Sequence, residues 1–207
     1  MIDRAKFFAD PNVLQLFKGN YSESQANGIE CLFLEWENRD LTDLRWLAYI
    51  LATAYHETGR RMQPIDELGG HAYFMDLYDV SGSYPDRARA NGNVNVGDGA
   101  LFHGRGFPQL TWRNNYRKMA TILTKPKFGV DIEQRPDDAK RLDIAIAIMF
   151  EGMLRAESHF GDFTGKALED YFNATTDDPV NARRVVNGLD KAHEIAGYHR
   201  IFLKALS

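Results

Sequence analysis

Leu44-Arg45-Trp46-Leu47-Ala48-Tyr49-Ile50-Leu51-Ala52-Thr53-Ala54-Tyr55-His56-Glu57-Thr58-Gly59 decides the fold class. Leu44, Leu47, Ala48, Leu51, Ala54 and Tyr55 recur at helical spacing and draw one apolar stripe. Thr42 is read as the N-cap, and Gly59 as the stop. The helix ends on a carboxyl, Glu57, just where the chain enters a glycine-rich stretch.

Helical patterns flank this one on both sides. Ser22-x-x-Gln25 has the form of a capping box, so a helix is expected over about 23–38. Helices resume near Arg113 and run to about Leu123. The stretch 141–157 is apolar almost all round, the mark of a buried bundle centre. Asp178-Pro179 reads as an N-cap with proline at the first helical position, ending at Gly188. A last helix, about 191–205, places Ala192, Ile195, Ala196, Phe202 and Leu206 on one face. Between them, residues 59–106 hold nine of the seventeen glycines, and 71–80 is compatible with strand or helix. The expected fold is mainly α, with a helical core over 1–58 and 107–207 and a loop-rich lobe, 59–106, inserted in one domain.

The 207 residues carry a formal charge of −4, which argues against a nucleic-acid partner. Cys31 is the lone cysteine, so no intrachain disulfide is possible; its apolar neighbours suggest a small buried residue. Met1 to Phe7 lacks a basic region followed by an apolar stretch, and Ile144 to Phe150 is too short to span a bilayer. No export signal and no stable membrane insertion are expected. The basic C-terminal segment, with its apolar face, reads as a core-packed helix.

Glu57, beside apolar surface, is placed as a general acid would be, since desolvation disfavours a charged carboxyl. Glutamates at helix ends are more often simply solvated. A zinc-protease reading of His56-Glu57 fails because Arg60 stands where the second histidine belongs. Asp66 and Glu67 follow within ten residues, and an inverting glycosidase needs two carboxyls roughly 6.5–9.5 Å apart. Gly104-Arg105-Gly106-Phe107-Pro108-Gln109-Leu110-Thr111-Trp112-Arg113-Asn114-Asn115-Tyr116 offers amides and a hydroxyl at Gln109, Thr111 and Asn115, and rings at Trp112 and Tyr116. Those rings suit either sugar faces or the core. From Gly99 to Val130 six cations stand with no acid, facing either an acidic polymer or acids elsewhere in the chain. Asn91-x-Asn93-x-Asn95-x-Gly97-Asp98 echoes a calcium loop but lacks its bidentate glutamate and is read as a turn.

Together these segments resemble glycoside hydrolase family 19, the chitinases and the chitinase-like endolysins of bacteriophages. The likeness runs through Ala54 to Gly59, Met62 to Glu67, Tyr73 to Asp79, Gly97-Asp98-Gly99, Gly104 to Thr111 with Asn114-Asn115-Tyr116, and Arg184 to Gly188. It spans about 44 to 190, with the blocks in order. Leu189 stands where many members have a second glycine, Thr111 replaces the serine of plant enzymes, and the plant cysteines are missing.

The resemblance implies a lysozyme-like helical fold and inverting hydrolysis. Glu57 would protonate the glycosidic oxygen and Glu67 would activate water. Thr111 and Asn115 would hold that water or the N-acetyl group. Gln109 and Asn187 would bind substrate; His56, Arg105, Asn115 and Tyr116 are added as candidate substrate contacts from their place in these blocks. No cofactor and no metal are implied. The expected role is a monomeric endolysin with peptidoglycan as partner, made in the bacterial cytoplasm and reaching the periplasm through a holin, without a separate wall-binding module. A chitinase, a lytic transglycosylase-like enzyme and an inactive wall-binding domain stand as alternatives.

Overall fold

A reciprocal capping box opens the first long helix: Ser22 Oγ accepts from Gln25 N at 3.2 Å, and Gln25 Oε1 accepts from Ser22 N at 2.8 Å. The computed structural model describes residues 2–154 and 163–207. Along the chain come α1 (Arg4–Ala9), α2 (Pro11–Leu16), α3 (Glu23–Asn38), α4 (Leu44–Glu57), β1 (Ile65–Asp66), α5 (His71–Tyr78), α6 (Pro85–Ala90), α7 (Asp98–Leu101) and β2 (Arg105–Gly106). Then follow α8 (Arg113–Met119), α9 (Lys125–Phe128), α10 (Leu142–Met153) and α11 (Ala192–Leu206). The fold is mainly α. The chain gathers into two compact units, Met1–Gln63 with Met149–Ser207, and Pro64–Ile148.

In the first unit α4 packs on α11. Every residue of α4 from Leu47 to Tyr55 is buried, so the apolar stripe is the centre of a fully enclosed cylinder. Ala192, Ile195, Ala196, His199, Phe202 and Ala205 form the facing surface of α11. Phe7 joins α1 to this core, edge-on to Phe33 at 4.9 Å and stacked on Phe202 at 6.1 Å. A Cβ at Gly28 of α3 would lie 1.7 Å from the Met62 carbonyl oxygen, so only glycine permits this approach.

The second unit has little regular structure. β1 pairs antiparallel with β2, matching Ile65 to Gly106 and Asp66 to Arg105. Residues 107–148 stay with the glycine-rich segment because β2 packs against the 3-10 turn Pro136–Lys140 and Gly106 lies against Ala139 and Ala145. Loops are held by carboxylates that take up backbone N–H groups. Asp79 accepts from Gly97 and Gly99, and Asp98 from Val94 and Asn95. The asparagine-rich segment is accordingly a turn that leads into α7 at Asp98.

Several local expectations need correction. The cap of α4 is Asp43, not Thr42: its Oδ1 accepts from Arg45 N at 3.0 Å, and a carboxylate one residue nearer is the better placed acceptor. Residues 71–78 are helical. After α8 the backbone loosens into a π-helical turn, Ala120–Thr124, before α9. Asp178 takes Asn181 N and Nδ2 on its two oxygens, which favours a turn, and a short 3-10 segment, Asn181–Val185, replaces the α-helix expected to reach Gly188. Cys31 is half-buried, with Asn27 Oδ1 3.9 Å from its sulfur, because it lies on the flank of α3 rather than on its core face. The expected end of α10, near 157, lies outside the described residues.

Candidate active site

The first unit presents Glu57 as the last residue of α4. Thr58 locks the exit: its hydroxyl donates to Ala54 O at 2.6 Å and accepts from Met62 N at 3.0 Å. Only 16% of the Glu57 side chain is exposed, and Arg183 Nη1 donates to its Oε1 at 2.5 Å. Arg183 is itself buried, at 4% exposure, and its Nε donates to Asp190 O. Planar guanidinium geometry fixes the carboxylate that it holds. Asn187 lies in the next turn, donating its backbone N–H to Arg183 O, with an exposed side chain whose Oδ1 accepts from Gly188 N. His56 is half-buried beside Glu57. Tyr49 and Thr53 precede Glu57 at four-residue steps on one face of α4, buried, with hydroxyls that find no partner among the described residues. Burial pushes the Tyr49 phenol up, so it stays neutral.

The second unit presents Glu67 directly after β1. Both oxygens accept hydrogen bonds, Oε1 from Tyr78 OH at 2.7 Å and Oε2 from Gly104 N at 3.0 Å. Burial and then the bond to Glu67 push the Tyr78 phenol up, keeping it a neutral donor. Gln109 donates to Ile65 O and Gly106 O, Thr111 Oγ1 donates to Gln109 O, and Asn115 donates to Thr111 O. A Cβ at Gly104 would lie 3.0 Å from Gln109 Oε1, 3.1 Å from Glu67 Oε2 and 3.2 Å from Thr111 Oγ1. Three polar groups thus converge on a space that only glycine leaves open. Gln109 and Trp112 hold φ of +55° and +78°, rarely adopted by non-glycine residues; such strain gathers at functional loops.

Asp66 and Glu67 are adjacent but serve differently. Asp66 bonds Lys140 Nζ at 2.7 Å and lies 3.3 Å from His103 Nε2 and 3.4 Å from Arg105 Nε. Burial alone would raise its pKa, but Lys140 first, then the hydrogen bond to His103 and the charge of Arg105, outweigh burial and hold it below the usual carboxylate range. Glu67 faces neutral donors.

Two residues expected to contact substrate are buried instead. Tyr116 is fully enclosed; its hydroxyl donates to His103 O and accepts from Arg105 Nη1. Arg105, 5% exposed, also donates to Leu101 O and Asp137. The pair braces the turn that carries Gly104. The acid-free run 99–130 is balanced by acids elsewhere: Arg113 pairs with Asp98 and Glu133, Arg117 with Glu133, and Lys125 with Asp131. Sequence reasoning missed Arg183 and Tyr78. Nothing in the sequence separates the buried Arg183 from its exposed neighbour Arg184, and Tyr78 falls in a segment compatible with strand or helix.

No family model matches the sequence and no curated protein matches it. Solved structures do. Chitinase C from Streptomyces griseus HUT6037 is 17% identical with a TM-score of 0.54, covering 99% of this chain and 92% of that one. A mutant of chitinase C is 18% identical with a TM-score of 0.52, covering 99% and 76%. A bacterial family 19 chitinase is 18% identical with a TM-score of 0.53, covering 100% and 95%. At these identities the likeness shows the fold, and the mainly α, lysozyme-like fold of the family 19 chitinases is the fold of this chain.

Proposed function

We propose that the protein is a glycoside hydrolase that cuts the β-1,4 bond between N-acetylmuramic acid and N-acetylglucosamine in peptidoglycan, with inversion. The observation that carries this reading is the convergence of Glu67, Gln109 and Thr111 on Gly104 in a chain with this fold. In the proposed step Glu57 gives its proton to the glycosidic oxygen as the bond to the anomeric carbon breaks. Water attacks that carbon from the opposite face and yields its proton to Glu67. Arg183 holds Glu57 through Oε1 and so fixes the orientation of the side chain. Tyr78 and the Gly104 N–H aim the Glu67 carboxylate. Thr111, Gln109 and Asn115 orient the water and the acetamido group, and Asn187 and His56 contact the strand. Arg105 and Tyr116 act from behind, as positioning residues. The biological role proposed is that of a phage or prophage endolysin, made in the cytoplasm and acting on the wall after a holin opens the membrane. A chitinase is the second reading, because the solved neighbours are chitinases.

Mass spectrometry of fragments released from purified Gram-negative peptidoglycan tests this with wild type, Glu57→Gln and Glu67→Gln. Hydrated reducing-end muropeptides are expected from wild type, with each variant slower by roughly 10²–10⁴-fold. Cleavage of chitin oligomers alone selects the second reading. Anhydro products reject hydrolysis, and full activity of Glu67→Gln rejects the assigned base.

A further inference from the structure

Arg87, exposed on α6, is the guanidinium in the second unit that the ion pairs leave over. No carboxylate of the described residues pairs with it. It is nonetheless held in place. Its guanidinium lies 4.8 Å from the Tyr84 ring centre and 5.4 Å from that of Trp112, and Nη2 donates to Leu77 O at 3.0 Å. Two cation–π contacts and one hydrogen bond order a side chain that would otherwise be mobile, at a surface where order has no packing purpose. The same residues lead to the candidate base. Trp112 meets Tyr78 edge-on at 4.9 Å, and Tyr78 donates to Glu67 at 2.7 Å. Nη1 and Nε remain unused by the described residues.

We infer that Arg87 binds a carboxylate on the glycan strand seated beside Glu67, so that this unit selects an acidic N-acetylated strand over neutral chitin. The inference rests on the glycosidase reading and names its substrate class. The carboxylate has two possible sources in a wall polymer, the lactyl group of a strand stripped of peptide and the stem peptide of an intact one. A pre-ordered guanidinium recognises either through paired N–H groups.

The test is binding, separated from turnover by the Glu57→Gln background. Affinities are measured by calorimetry for stripped glycan strands, the same strands with amidated carboxyls, peptide-bearing strands, and chitin oligomers of equal length. A preference for carboxylated over neutral strands is expected, falling about fivefold in Arg87→Gln and only partly in Arg87→Lys, and shrinking with salt. Arg87 dependence on stripped strands assigns the lactyl carboxylate; dependence on peptide-bearing strands alone assigns the stem. Equal weakening on acidic and neutral strands, or no preference in the Glu57→Gln parent that amidation abolishes, overturns the inference. Amidation tests it without any variant at position 87. Failure of wild type to cut peptidoglycan, with the preference intact, rejects the proposed reaction alone.

Discussion

The two candidate carboxylates are positioned by opposite means. Glu57 ends a helix whose every residue from Leu47 to Tyr55 is buried, and a buried guanidinium grips it. Glu67 sits in a unit of short helices, two-residue strands and loops, gripped by a neutral phenol and a backbone N–H. Helical burial places the backbone of Glu57 through many weak contacts, and a single buried ion pair then fixes its carboxylate. A loop places a side chain through a few specific bonds and unusual backbone angles, each of which matters. The first arrangement makes stability and site geometry one problem; the second separates them.

Breaking the grip on Glu57 is the largest test of that difference. Arg183→Met leaves a poorly exposed carboxylate unpaired, and chemical denaturation is expected to show a loss of about 3 kcal/mol with activity lowered as well. Unchanged stability would mean that the helix alone places Glu57.

His199 sharpens the comparison from inside the same core. It is stacked on Phe172 at 5.1 Å and near Tyr49 at 5.7 Å, and neither ring nitrogen has a hydrogen-bond partner among the described residues. Burial lowers its pKa to about 4, against opposition from Asp177. The folded state therefore binds this proton less readily than the unfolded chain. Its stabilising share is complete above pH about 6.5 and is lost as pH falls through about 4, at most about 3 kcal/mol. Urea titrations at pH 7 and pH 4 are expected to show a smaller acid loss for His199→Phe than for wild type. Equal losses would remove His199 from the account.

The smallest expected effect on stability falls in the second unit. Gly104→Ala puts a methyl within 3.2 Å of three polar atoms, which must shift by a few tenths of an ångström. Turnover is expected to fall about tenfold, because small misplacements of reacting groups are costly. The thermal midpoint should move little. A large drop in that midpoint with normal turnover would reverse the assignment of the two regions.

Sequence alone determined what short-range physics controls. The capping box at Ser22 and Gln25, the apolar cylinder ending at Glu57 and the face of α11 depend on spacings of a few residues. The block from Gly104 to Thr111 was visible as a loop with amides and a hydroxyl. Where side chains compete locally, as at Asp43 and Asp178, sequence reading lost the cap or the helix type, since neighbouring acceptors differ only in geometry. Tertiary structure decided the rest. Arg183 meets Glu57 across 126 positions, and no local pattern encodes that pairing. Folding alone showed that Asp66 is taken by cations while Glu67 meets neutral donors, that Arg105 and Tyr116 turn inward, and that the basic run is neutralised. The reason is physical: periodicity reports which face of an element is buried, whereas a site is made by side chains brought together from separate elements.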